Sequence, residues 1–211
     1  VRPARGSQAP GRGAARSAPV RALAFRTMGH QEIRPEIAVR RARTRDVASI
    51  RRLVDAYSGE RRVLSKSTVT LYEDIQEFCV AERLGAERRV VGCGALHVLW
   101  EDLAEVRTVA VDPAAQGRGV GHRIVSELLA RARELGVRRV FCLTFETDFF
   151  GRHGFQPIQG TPVSPKVYEE LLRSYDEGVA EFLDLERVKP NTLGNTRMLV
   201  HLNEPGTPRA V

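Results

Sequence analysis

The sequence predicts an α/β protein: a mixed twisted sheet with flanking helices, and a glycine loop between a central strand and the main helix. Three observations carry this. Strand-like and helix-like segments alternate over residues 37–202 in the order β-α-α-β-β-β-α-β-α-β-α-β. Residues 105–121 read without interruption as strand, loop and helix start. The 211 residues, 42% hydrophobic and 28% charged, suffice for one domain with a real core.

Residues 37–42 form the first strand. Thr44 is placed to cap a helix over residues 45–57, whose apolar face is Val47, Ile50, Leu53, Val54 and Tyr57. Ser67 caps a second helix reaching Phe78, with Val69, Leu71, Tyr72, Ile75 and Phe78 on one face. Residues 79–82 and 90–100 read as a hairpin turned by residues 84–87. Residues 105–111 are rich in β-branched residues, and Asp112-Pro113 ends that strand because proline lacks a donor. The main helix follows over residues 123–135, with Ile124, Val125, Leu128, Leu129, Ala132 and Leu135 at helical spacing. Residues 138–144 make a strand that must return parallel to the one before the helix. A short helix stopped by Gly154 comes next, then a strand from Phe155. Ser164 caps a helix over residues 165–175, continued over 176–185 after a kink at Gly178. Residues 197–202 form the last strand.

The loop carries the chemistry. Gly117, Gly119 and Gly121 fall within five positions and open a helix. Such a loop presents free backbone N–H groups and the positive end of the helix dipole, which suits a pyrophosphate. No Gly-Lys-Ser/Thr ends it, so it is not a Walker A loop, and its Gly-x-Gly-x-Gly spacing is not that of dinucleotide-binding folds. The plainer alternative is a strand-to-helix turn that needs small residues.

Charge excludes one class. The net charge is +7, yet residues 1–30 hold six arginines and no acid, so residues 31–211 carry 27 basic against 26 acidic side chains. The patterned part is nearly neutral, and a nucleic-acid partner is not expected. No apolar run reaches the ~20 residues that span a bilayer, so no membrane role is expected. Cys79, Cys93 and Cys142 lie on apolar segments without a CxxC pair, which points to reduced core thiols and a cytoplasmic setting. Residues 1–30 and 203–211 are expected to be disordered extensions of a domain over 37–202. The arginine bias of the first resembles a transit peptide. The preferred reading is an upstream extension, with the true start at Met28.

Gln116, Gly119 and Gly121 match Gln/Arg-x-x-Gly-x-Gly/Ala after a Val-x-Val-x-Pro strand end. That pattern resembles the acetyl-CoA loop of the GNAT family of N-acetyltransferases. Val109-Ala110-Val111-Asp112-Pro113, residues 140–144 and residues 149–155 narrow the likeness to the acetyltransferase domain of N-acetylglutamate synthases. The whole of residues 37–202 resembles the short, single-domain actinobacterial form. The resemblance implies a GNAT fold and transfer of acetyl from acetyl-CoA to the α-amine of L-glutamate or L-glutamine, the first step of arginine biosynthesis. It implies no metal and leaves a homodimer open. Another amine as acceptor, and a non-catalytic acetyl-CoA sensor, are the alternatives.

The same resemblance implies roles. Acetyl-CoA would be held by Val109, Ala110 and Val111 of the strand and by Gln116, Gly117, Arg118, Gly119, Val120, Gly121 and His122. Glu105 resembles the general base, and the Val109 N–H would polarise the thioester carbonyl. Substrate carboxylates need cations and donors, for which Lys66, Arg107, Thr144, Thr196 and Arg197 are candidates, with Ser65 beside them. His97 and His153 are proton-relay candidates, more ordinarily satisfied structural histidines. Phe145, Phe149, Phe150 and Phe155 read as core. Two departures stand out. Phe150 occupies a position where many family members place a tyrosine acid, and Glu146 one where classical synthases often have arginine.

Overall fold

The computed structural model describes residues 36–58, 67–85, 87–174, 176, 179, 183 and 195–202. Residues 1–30, Met28, Ser65, Lys66, the helix expected over most of 176–185, and residues 203–211 lie outside these. Seven strands form one sheet in the order β1-β2-β3-β4-β5-β7-β6. They are β1 (Ile37–Arg41), β2 (Phe78–Arg83), β3 (Arg89–Trp100), β4 (Leu103–Val111), β5 (Arg139–Thr144), β6 (Gln156–Pro157) and β7 (Thr196–His201). Every neighbouring pair is antiparallel except β4 and β5. The helices are α1 (Val47–Ser58), α2 (Thr68–Glu73), α3 (Val120–Glu134), α4 (Thr147–Gly151) and α5 (Pro165–Leu171).

Two faces of the sheet carry different helices. On one, α3 buries Val120, Ile124, Val125, Leu128, Leu129 and Ala132 against Leu96, Ala104, Val106, Val140 and Cys142. On the other, α1 buries Val47, Ile50, Leu53 and Val54 against Phe78, Val80 and Cys93. Farther along that second face, Leu103, Phe141 and Leu199 meet Leu171, Val179 and Leu183. Burial pushes the thiols of Cys79 and Cys93 up to about 12 and raises that of Cys142 as well.

The close seat of α3 depends on two glycines of β3. A Cβ on Gly94 would lie 2.7 Å from Cγ2 of Ile124 and 3.1 Å from Cδ1 of Leu128. One on Gly92 would lie 2.8 Å from Cδ1 of Ile124. Gly94→Ala therefore overpacks the helix–sheet interface, at an expected cost of ~1–3 kcal/mol. Thermal unfolding should show it as a lower Tm by about 2–4 °C per kcal/mol. An unchanged Tm would mean that α3 has room to ride outward freely.

Several expectations are corrected. Thr44 does not cap α1. The chain enters through a 3-10 turn, Thr44–Asp46, and Oδ2 of Asp46 accepts from the Arg43 N–H at 2.8 Å. Arg40 holds that carboxylate at 2.7 Å and keeps it below the usual carboxylate range. The second helix stops at Glu73, passes through a 3-10 turn (Ile75–Glu77), and Phe78 already belongs to β2. Leu71 and Ile75 are buried, but Val69 and Tyr72 face solvent, so the proposed apolar face is split. Leu135 is exposed because it follows the last turn of α3, where Gly136 at φ 82° turns the chain away. Helix α5 begins at its Ser164 cap but ends at Leu171, closed by Arg173 and Ser174 donating to carbonyls three residues back. Phe145 is exposed and leaves the aromatic core to Phe150 and Phe155, with Phe149 half-buried.

Candidate active site

The site begins where the sheet parts. Strand β4 pairs with β3 along its length, but its parallel pairing with β5 covers only Leu103–Glu105 against Arg139–Phe141. Beyond Glu105 the two strands have no register, while β5 continues to Thr144 beside β7. This parallel pair thus opens toward its carboxyl ends, a place where α/β sheets accept ligands.

A bulge lies at this parting. The β3–β4 register shifts between Cys93, opposite Ala110, and Ala95, opposite Arg107. Thr108 takes φ 56°, the single positive value at a non-glycine among the described residues. For a β-branched residue that conformation costs ~1–3 kcal/mol. The bulge inverts the side-chain alternation. Ala104 and Val106 face α3, leaving Glu105 and Arg107 on the opposite face. After Thr108, Val109 and Val111 turn to the α3 face and Ala110 to the α1 face. One strand therefore delivers a carboxylate to one face and its later backbone to the cleft.

The loop beyond β4 is braced. Asp112 accepts from the Ala114 N–H and from Arg52 and Arg89. Tyr57 donates to the Val111 carbonyl and accepts from Nε2 of Gln116 at 2.7 Å. Gln116 so props the loop against α1. Gly117 and Gly119 take φ 71° and 74°, and a Cβ on either would meet nothing within 4 Å. Both need glycine for conformation, and both face open space. Gly121 differs: its Cβ would stand 3.2 Å from the Phe149 ring. The first α-helical backbone bond of α3 runs from the Arg123 N–H to the Gly119 carbonyl. Gly119 supplies no side-chain cap, so the N–H groups of Val120, Gly121 and His122 lack intrahelical partners. The Val120 side chain is buried in the core and Arg118 is exposed. Backbone N–H groups so arranged at a helix start are chemically suited to an anion.

Near this helix start, Nδ1 of His122 lies 2.8 Å from Nε2 of His153, and its ring sits 4.8 Å from that of Phe149. Burial, then the neighbouring His122, lowers the His153 pKa below its ordinary value. Phe150 is buried edge-on against Phe149 and Phe155.

On the other face, Glu105 is 4% exposed, not the surface glutamate that a strand end ordinarily carries. Arg107 is shared among Glu77 at 2.9 Å, Asp176 at 2.8 Å and Asp74 at 3.4 Å. His97, opposite Glu105 in the register, holds Glu77 at 2.6 Å. Arg197 lies opposite Leu143 and on this same face, whereas Thr144 and Thr196 oppose each other on the α3 face. The backbone N–H of Glu146 donates to Oγ1 of Thr144 at 2.9 Å. The proposed carboxylate partners are thus divided by the sheet. Sequence reasoning missed Tyr57, Asp74, Glu77 and Asp176: Asp74 and Glu77 share one 3-10 turn, but Tyr57 and Asp176 come from distant segments. Among the described residues no cluster of His, Cys, Asp or Glu is arranged to hold a metal, and no helix is long and apolar enough to cross a membrane.

The Acetyltransferase (GNAT) family model matches residues 48–155. An amino-acid acetyltransferase of Mycobacterium tuberculosis is 63% identical over 164 residues, 78% of this chain and 94% of that one. A crystal structure from the same organism, in complex with CoA and a second ligand, is also 63% identical, with TM-score 0.75 over 79% of this chain and 99% of that one. An N-acetylglutamate synthase of Neisseria gonorrhoeae, complexed with coenzyme A and N-acetyl-glutamate, gives TM-score 0.63 over 80% of this chain and 36% of its own. At 23% identity that likeness concerns the fold alone.

Proposed function

Because this chain belongs to the GNAT family of acetyltransferases, we propose that it acetylates the α-amine of L-glutamate or L-glutamine with acetyl-CoA. The observation that carries the reading is the parting of β4 from β5 just past buried Glu105, with the glycine cradle at the far end of the same strand. The relatives make it an amino-acid acetyltransferase, with acetyl-CoA as co-substrate. Three buried free cysteines fit a reducing cytoplasm.

The residues divide the work. Backbone N–H groups of residues 117–122 bind the pyrophosphate, aided by the dipole of α3. The Val109 N–H would donate to the thioester carbonyl and stabilise the charge that develops on its oxygen. An α-amine is mostly protonated at neutral pH, so a proton must leave before the nitrogen can attack. Glu105 accepts it, directly or through one water. Arg197 lies on the Glu105 face and suits a substrate carboxylate. Arg107 sits there too, though a ligand must compete with three carboxylates for it. Lys66, Thr144 and Thr196 complete the proposed set.

The test is a panel of free amino acids, small amines and N-terminal peptides assayed for CoA release. Glutamate or glutamine should give the highest kcat/KM. Tight acetyl-CoA binding with no release on any acceptor would replace this reading with that of a cofactor sensor.

A further inference from the structure

We infer that His97, backed by Glu77, carries the net proton of each turnover from buried Glu105 to solvent. The inference rests on the reading of Glu105 as the base. Proton balance calls for such a route. As the C–N bond forms and the C–S bond breaks, the ammonium nitrogen loses two protons. One ends on the CoA thiol and the other in bulk water. Glu105 is 4% exposed, so a carboxylic acid formed there has little direct access to solvent.

His97 stands directly across the β3–β4 ladder from Glu105. Opposed residues of an antiparallel pair share a face, with Cβ atoms ~4.5–5.5 Å apart. Nδ1 of His97 lies 2.6 Å from Oε1 of Glu77. An ionised carboxylate only accepts, so this contact keeps the imidazole proton on Nδ1 and leaves the Nε2 lone pair free to receive another. The proton passes from the Glu105 carboxyl to Nε2, regenerating the carboxylate and giving an imidazolium. That cation is flanked by Glu77 and by Asp176, whose Oδ2 is 3.8 Å from Nε2.

The other charged groups on this face include Arg107, Asp74 and Arg197, and Arg131 donates to the Glu77 backbone carbonyl from α3. Arg107 opposes a second positive charge, but it is already shared by Asp74, Glu77 and Asp176. The side chains of His97 and Glu77 are 24% and 22% exposed, so the last transfer is to water. Accessibility rises in steps from base to relay to solvent.

The test is His97→Gln, which keeps an amide donor for Glu77 but carries no proton. Turnover is measured at saturating substrates, constant pH and constant ionic strength, with imidazole added stepwise. The variant's kcat should fall at least about tenfold with acceptor KM little changed, and imidazole should restore it in proportion to concentration. Wild type and Glu105→Gln should not respond to imidazole. Normal kcat in His97→Gln overturns the relay, and so does a slow variant that imidazole does not rescue. If either result accompanies an active wild type, acetyl transfer stands and the relay alone falls. A wild type that acetylates no amino acid removes both. Should His97→Gln fail to fold, Glu77→Gln carries the same assay, with a smaller loss and the same rescue.

Discussion

Glu105→Gln is expected to turn over ~10²–10⁴-fold more slowly than wild type at neutral pH, with acetyl-CoA affinity nearly unchanged. The substitution keeps size and hydrogen bonding but removes the carboxylate's basicity. Its site is buried between β3 and β5, in register with His97 and Phe141. Loss of a base lowers kcat, whereas loss of a binding contact raises the acceptor KM. The defect should shrink above the amine pKa, where free amine is abundant and needs no base. The check is kcat against pH from neutral to alkaline for both forms. A variant with normal turnover at neutral pH would end the assignment. A raised acceptor KM without recovery at high pH would make Glu105 a binding residue.

Gly119→Val is expected to weaken acetyl-CoA binding by about tenfold or more while the fold survives. Gly119 is the N-cap of α3 at φ 74°, where a β-branched residue is strained by ~1–3 kcal/mol. Relief of that strain swings the first N–H groups of α3 out of line, and ~1.4 kcal/mol is a factor of ten in Kd. A Cβ there meets nothing within 4 Å in the protein, so it does not disturb the core. It also stands in the space a phosphate would enter. Gly119→Asn separates the two effects, because asparagine tolerates the left-handed region but still carries a Cβ. Equal losses in both variants point to blocked approach, and a milder loss in Asn points to conformation. Calorimetric titration with CoA reads the outcome. Unchanged affinity in a folded Gly119→Val variant would remove the cradle from the proposed mechanism. Gly121 is a different case, since its substitution presses on Phe149.

By itself the sequence determined the order of the elements, the apolar face of α3 from Ile124 to Ala132 and the place of the glycine loop. Those rest on local physics: apolar periodicity on α3, the missing donor of Pro113, and glycine's freedom at Gly117 and Gly119. The likeness of residues 105–121 to a known loop pointed to the cofactor for the same reason, because strand, loop and helix start are contiguous. Only the tertiary structure decided what surrounds Glu105. Burial of that carboxylate depends on β3 and β5 closing on β4, and its neighbours His97, Glu77, Arg107 and Asp176 come from four separate segments. The Thr108 bulge inverted the faces of β4, which strict alternation of side chains cannot foretell. It placed Arg107 with Glu105, while β5–β7 pairing set Thr144 and Thr196 on the far side of the sheet. Local spacing encodes which face of one helix is apolar. It does not encode which charges meet across a sheet, because that is settled by pairing between residues far apart in the chain.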